Sequence, residues 1–324
     1  MTRPAHPLAV FAALVAAVAV ALAPEALGPF HIRVLQFFFF SAALATAWNL
    51  LGGYAGYWSF GHMAFIGIGA FAAAHYAMAF GGGGAGPASM IAPVAVGALS
   101  AGGVALVIAY PLLRLRGIYF AIAMLGVSQI AAELTNNVGV LKGGIGVFLP
   151  SPTPAGMPPE RFFYYLFAVL LGLCLLIAWA IRRTRFGYAL LAIREDEDTA
   201  MMLGVATERW KIAAFVLSAT LTGTAGAIYG YSLGYFTTYS VFRLDFSLNM
   251  IVFCLIGGIG TLWGPTIGAA LLLFLTQVLL SRFLDVHLMI TGALVVATVL
   301  LMPGGILRAV GELPRLRPKR EGGT

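Results

Sequence analysis

Charge is what this 324-residue chain has least of: 10% of its residues are Asp, Glu, Lys or Arg, against 60% hydrophobic, with a mean hydropathy of +0.94. A water-soluble globule of that composition would lack polar surface to cover its core, so the chain reads as an integral membrane protein. Cysteine is nearly missing too. Cys174 and Cys254 each lie inside an apolar run, which excludes a disulfide framework and a thiolate metal site. The twelve acids fall at the ends of apolar runs, in loops or in the tail. Ion-coupled carriers and proton pumps usually need a carboxylate or His within the membrane, and Glu133, near the end of its run, is the one candidate. No GxxxxGK[ST] phosphate loop occurs, so energy from ATP must come from another subunit. The GGGGAGPA stretch at 81–88 lacks the lysine and reads as a flexible outer connector. His62, His75 and His287 sit in unrelated segments with no motif tying them to a nucleophile, which argues against an enzyme of the membrane interior. The net charge of +7 follows from loop bias and contact with anionic lipid, so a nucleic-acid partner is not needed to explain it.

What is present is a series of long apolar runs. At ~20 residues per spanning helix, they fall at about 8–28, 33–53, 61–80, 88–113, 117–134, 162–181, 211–231, 247–263, 265–283 and 287–303. The expected fold is an all-α polytopic bundle of about eight to ten transmembrane helices, with broken or re-entrant segments where Gly264-Pro265 splits two runs. It forms a single transmembrane domain over 1–324, with a polar loop at about 182–211 and a basic tail at about 304–324. Ten spans put fourteen of the 19 basic residues on one side, predicted as cytoplasmic, together with both termini. The opening MTRPAHPLAVFAALVAAVAVALAPEA also fits a signal peptide, but its long apolar run and the charge balance favour a retained first helix.

One stretch interrupts this pattern. FGYALLAIREDEDTAMMLG, residues 186–204, gathers the acids Glu195 to Asp198 beside arginines. Leu190, Leu191, Ile193, Ala200, Met201 and Leu203 recur at helical spacing, with Gly187 and Gly204 at the two ends. Such a short amphipathic helix, or helix pair, has two readings: it lies on lipid headgroups, or it docks into a cleft of a cytoplasmic protein. Four adjacent acids would be repelled by anionic lipid and suit the rim of a protein contact.

RFGYALLAIREDEDTAMMLGVATERWKIAAFVLSATLTGTAGAIYG at 185–230 resembles the cytoplasmic coupling segment and following helix of LivM-type permeases of branched-chain amino-acid ABC importers. The resemblance continues in GYAGYWSFGHMAFIGIGAF at 53–71, LRLRGIYFAIAMLGVSQI at 113–130 and IGGIGTLWGPTIGAALL at 256–272, in order along nearly the whole chain. It implies a permease subunit of the bacterial inner membrane that works by alternating access beside a homologous LivH-type permease, two ATP-binding subunits and a periplasmic substrate-binding protein. ATP and Mg would sit on those ATPase subunits, and this chain would carry no cofactor, metal or catalytic residue. The coupling contact would fall on Gly187, Ala189, Ala192, Ile193, Glu195, Asp196, Ala200, Leu203 and Gly204. A stand-alone carrier or channel for a small solute is the alternative.

For the translocation path, the candidates are Trp48, Asn49, Ser59, His62, Gly67, Gly69, Gly257, Gly258 and Gly260. Each has a second reading: the glycines as helix-packing positions, as with the GxxxG steps Gly260/Gly264/Gly268 and Gly226/Gly230, and His62 as a polar anchor at a helix end. Asn49 in an apolar run is expected to turn inward to a partner or cavity. The outer loop LTNNVGVLKGGIGVFLPSP at 134–152 departs from the family, which usually has TGG, a small or polar residue and then NG. Lys142 there reads either as a solvated loop lysine or as a contact for a binding protein or a substrate carboxylate. Branched-chain amino acids are the default cargo, with urea, short amides and other small carboxylates next.

Overall fold

The computed structural model describes residue 20, residues 22–80, 86–154 and 156–279, and residue 292. The expected span at 287–303, residue 292 apart, and most of that at 8–28 lie outside these residues, as does the tail. Helices dominate the rest: α1 (Pro29–Leu51), α2 (Met63–Phe80), α3 (Ala88–Leu112), α4 (Ile118–Asn137), α5 (Pro159–Arg182), the short α6 (Arg185–Glu195) and α7 (Glu197–Met202), and α8 (Thr207–Leu233). After these come α9 (Thr238–Val241), α10 (Leu244–Gly257) and α11 (Gly264–Leu273), which runs on into a π-helical turn, Phe274–Leu279. Among the described residues, seven helices are long and apolar enough to cross a membrane, counting α9 and α10 as one at Thr238–Gly257, and Gly264–Gln277 is a shorter apolar helix. This is an all-α polytopic membrane protein.

Small residues explain how the central helices pack. A Cβ at Gly226 of α8 would lie 2.2 Å from the carbonyl oxygen of Ile66 on α2, and one at Gly69 of α2 would lie 2.2 Å from that of Gly223 on α8. A Cβ at Gly97 of α3 would meet the Gly69 oxygen at 2.5 Å, so α2, α3 and α8 touch backbone to backbone. Aromatic rings fill the space where side chains are large: Phe40 of α1 stacks on Tyr229 of α8 at 4.7 Å and meets Phe246 of α10 edge-on at 5.7 Å. Several hydroxyls in these helices return to their own backbone, as those of Thr46 to Ala42 and Thr222 to Ser218 do, so they cost little in an apolar bundle. The outward faces of α3, α4 and α5 carry exposed Leu99, Val107, Ile122, Ile130, Val169 and Leu176, a surface suited to hydrocarbon or to another apolar helix.

The helix break near the end of the chain falls earlier than Gly264-Pro265. Chain direction reverses at 258–263, where Gly258 and Gly260 take φ values of 120° and 76°. Pro265 lies in the first turn of α11 and starts it, because the amide it lacks would have no helical partner there. Gly264 and Gly268 let α11 fold back onto α10: a Cβ on either would lie 2.2 Å or 1.9 Å from the carbonyl oxygens of Gly258 and Phe253. At the opposite end of the bundle, β1 (Val147–Phe148) pairs antiparallel with β2 (Tyr235–Phe236) and ties the loop before α5 to the end of α8.

Candidate functional site

Residues 186–204 form a helix pair. Thr184 precedes α6, Asp196 is extended at φ −160° between the two helices, and Gly204 follows α7 with φ of 86°. Asp196 caps α7, its side chain accepting from the Thr199 amide at 2.6 Å, and that bond holds its carboxyl below the usual range. Gly187 does not punctuate a helix end but fits the sharp turn out of α5, where a Cβ would lie 2.3 Å from the Ile181 oxygen.

The expected contact residues split into two sets. Gly187, Ala189, Ile193 and Ala200 are buried against the bundle and Ala192 is half-buried, whereas Glu195, Asp196, Leu203 and Gly204 face outward. Of the two readings of the stretch, one helix or a helix pair, the structure has the pair, with α6 and α7 separated by the extended Asp196. The apolar side chains left outside are Tyr188, Leu191, Met201, Met202 and Leu203, the last two each 80% exposed. A run of three bare apolar residues ends a chain reversal otherwise rich in charge.

Three of the four acids have partners within the chain. Besides the Asp196 cap, Asp198 takes two 2.8 Å hydrogen bonds from the Arg116 guanidinium, which lowers the pKa of the acid and raises that of the base. Glu197 turns inward, where Lys211 Nζ on α8 donates to its Oε1 at 2.5 Å and the Tyr57 hydroxyl to its Oε2 at 2.5 Å. The lysine's other two donors reach Tyr57 Oη at 3.0 Å and the Leu113 carbonyl at 3.1 Å, so all three are satisfied. Burial, then the bond to Glu197, pushes the Tyr57 phenol well above its ordinary pKa, so it stays a donor. This network joins the α1–α2 loop, the α3–α4 loop, α7 and α8. Its sequence signal was the presence of acids beside bases, but Lys211 and Tyr57 sit 14 and 140 residues from Glu197 and no local spacing links them.

A second link leaves α6. Arg194 Nη1 donates to the Gly53 oxygen at 2.7 Å, and its side chain fills the space beside Gly260, where a Cβ would lie 2.2 Å from Nη1. Asn49 clamps the same break, donating to the Thr261 oxygen and accepting from the Gly260 amide, both at 2.9 Å. Trp48 and Ser59 lie alongside, joined by a 2.8 Å bond from the indole to the Ser59 carbonyl. His62 meets Ser218 Oγ at 2.8 Å, and because that hydroxyl donates to the Ala47 oxygen, Nε2 of His62 carries the proton while Nδ1 has no partner among the described residues.

Of the path candidates, Trp48, Asn49, Ser59, His62, Gly257, Gly258 and Gly260 thus gather at one end of the bundle, beside α6. Gly67 and Gly69 stand apart on α2, packed against the Phe242 ring and the Gly223 backbone. Among the described residues no group of three or more His, Cys, Asp or Glu is placed to hold a metal ion.

Comparison with known proteins gives a consistent set of relatives. Residues 31–299 match the family described as the permease component of branched-chain amino acid transport systems. The chain is 30% identical over 251 residues to the high-affinity branched-chain amino acid transport permease LivM of Escherichia coli K12, covering 69% of this chain and 57% of that one. It is 29% identical over 202 residues to LivH of the same organism, 57% of this chain and 63% of LivH. A third relative, the autoinducer 2 import permease LsrC of Enterobacter sp. 638, is 30% identical over 59% of this chain and 54% of its own. The chain therefore spans little more than half the length of the LivM proteins it matches. No solved structure matches.

Proposed function

The chain belongs to the branched-chain amino acid transport permease family, and from that premise we propose that it is the membrane-spanning permease subunit of an ATP-driven ABC importer. Its cargo in this reading is a branched-chain amino acid or a related small polar solute, moved inward by alternating access. Its neighbours are a LivH-type permease, two ATP-binding subunits that hold ATP and Mg, and a periplasmic binding protein, in a bacterial inner membrane with both termini cytoplasmic. Similarity to both LivM and LivH supports pairing of two permeases of one fold.

The observation that carries the reading is the helix pair α6–α7. It leaves Met201, Met202 and Leu203 bare on one side while Glu197 and Arg194 fix it to the bundle on the other. An apolar knob on a braced short helix suits a groove in a partner protein, and motion of that groove would pass through Arg194 to the α10–α11 break. Side chains of this chain bind, brace and transmit, and no covalent step is assigned to them.

Reconstitution tests this. Proteoliposomes holding this chain, its partner permease and the ATPase should take up L-leucine only with internal ATP and external binding protein. Leucine uptake by this chain alone, driven by an ion gradient, would instead make it a secondary carrier.

A further inference from the structure

At the end of the bundle opposite α6 and α7 lies a cavity of about 280 Å³, just under the usual range for ligand pockets and of a size for a small solute. One face of α4 forms its wall, where Gln129, Glu133 and Asn136 recur at helical spacing, and Thr238, Tyr239 and Phe242 close it. Gln129 and Glu133 are exposed on a helix of membrane-spanning length. Hydrocarbon rejects an amide and a carboxylate, so this face meets water or protein.

The cavity is rich in acceptors. Glu133 receives only the Asn137 side-chain amide, at 3.0 Å, and forms no ion pair among the described residues. The amide oxygen of Asn136 and the hydroxyl of Thr238, a residue 4% exposed, are buried with no hydrogen-bond partner among the described residues. The carbonyl end of α4 adds negative potential from its last turn. Such a set calls for a cation that donates several hydrogen bonds, as an ammonium does.

The loop after α4 carries a base next to glycines that pack on residues lining the cavity. A Cβ at Gly143 would lie 2.3 Å from the Thr135 oxygen and 2.4 Å from Thr238 Oγ1, and one at Gly144 would lie 3.0 Å from Asn136 Oδ1, so the loop rests directly on these residues. Lys142, next in line, takes φ of 54°, the one non-glycine residue with positive φ among the described residues, and its carbonyl accepts from the Gly146 amide at 2.8 Å. A lysine held in a left-handed conformation is a strained choice that tertiary structure must impose. Its side chain is exposed and, like Glu133, forms no ion pair among the described residues. A larger cavity near the same end, about 370 Å³, differs here: its Arg33 and Glu160 neutralise each other at 2.8 Å.

We propose that the cavity between α4 and α9 is an outer loading site for a zwitterionic α-amino acid. Glu133, Asn136 and Thr238 receive its ammonium, Lys142 faces its carboxylate, and Tyr239 and Phe242 border its side chain. The proposal rests on the importer reading above.

The test uses the full importer in nanodiscs, titrated with L-leucine, L-leucinamide (ammonium without carboxylate) and 4-methylpentanoate (carboxylate without ammonium), in the absence of binding protein. Glu133→Gln should weaken leucine and leucinamide roughly tenfold and spare 4-methylpentanoate, as loss of a charge-assisted bond requires. Lys142→Met should weaken leucine and spare leucinamide. Should Glu133→Gln fail to survive extraction, Thr238→Val and Lys142→Met carry the same comparison. If the wild type imports leucine with its binding protein while these variants bind all three probes as the wild type does, the loading site is wrong and the importer reading stands. Failure of the wild-type complex to import leucine or any other branched-chain amino acid would instead remove the premise.

Discussion

Arg194 of α6 and Gly53, just beyond the end of α1, are joined by a 2.7 Å hydrogen bond from the guanidinium to the carbonyl. The same side chain lies against Gly56 and Gly260, both at positive φ, where any larger residue would meet it. The short helix that projects from the bundle is thereby in contact with the chain reversal between α10 and α11.

Arg194→Ala should therefore separate docking from transport. A hydrogen bond from a charged group contributes about 1.5–3 kcal/mol, so coupled uptake should fall about tenfold or more. Binding of the ATPase should change little, since the exposed apolar residues are untouched. Parallel measurement of ATP hydrolysis and uptake checks this, and equal losses in ATPase co-purification would show that Arg194 serves the dock itself. Arg194→Lys should recover only part, because a lysine cannot match the planar fork.

The docking surface predicts a hierarchy. Met202 and Leu203 are each 80% exposed, and replacing both with Glu should reduce ATPase co-purification by about tenfold or more, as loss of a buried apolar anchor does. Glu195→Arg, which changes a solvated acid without a partner among the described residues, should weaken it only a few-fold, since rim charges act mainly on association rate. The reverse order, measured by pull-down at two salt concentrations, would return the acids to the centre of the contact.

How much of this was legible in the sequence follows from the distance over which each feature is encoded. Apolar runs are local, so α2, α3 and α5 lie within a few residues of their expected positions. GxxxG steps and Pro265 marked the α10–α11 hairpin, yet the turn itself fell at Gly258 and Gly260, because a proline is tolerated in a first turn and this reversal uses the positive φ that glycine adopts freely. The acids of 195–198 drew attention for their number, whereas their roles depend on Tyr57, Arg116 and Lys211, brought together only by folding. Asn49 was expected to turn inward and does so onto the backbone of 260 and 261.

Helix contact predicts a steep size limit at Gly226. A single methyl there would lie 2.2 Å from the Ile66 carbonyl oxygen, an atom of rigid helix backbone that cannot rotate aside. Gly226→Val should lower the thermal midpoint in detergent and destabilise by about 1–3 kcal/mol or more through overpacking. Gly103→Val on α3, where nothing lies within 4 Å of a Cβ, should leave the midpoint near that of the wild type. Fluorescence-detected gel filtration after heating distinguishes the two, and equal midpoints would remove the close-packing account.

The Lys211–Glu197 pair gives a prediction in which the double change costs less than the two single ones added together. Both side chains are largely buried, at 7% and 12% exposure, and the ammonium's three hydrogen bonds are all within the chain. Lys211→Met leaves Glu197 facing Tyr57 with its main cation gone, and Glu197→Gln leaves Lys211 charged beside a neutral amide. Removing one partner of a buried pair costs about 3–5 kcal/mol, because the remaining charge is desolvated without compensation. Replacing both removes the charges together and should cost less than the sum of the two, by about 1–3 kcal/mol as coupled neighbours show. Thermal unfolding of the four proteins in one detergent measures the cycle. Additive losses would mean that Arg116, 3.7 Å from Glu197, holds that carboxylate as firmly as Lys211 does, and that the brace on α7 comes from the α3–α4 loop rather than from α8.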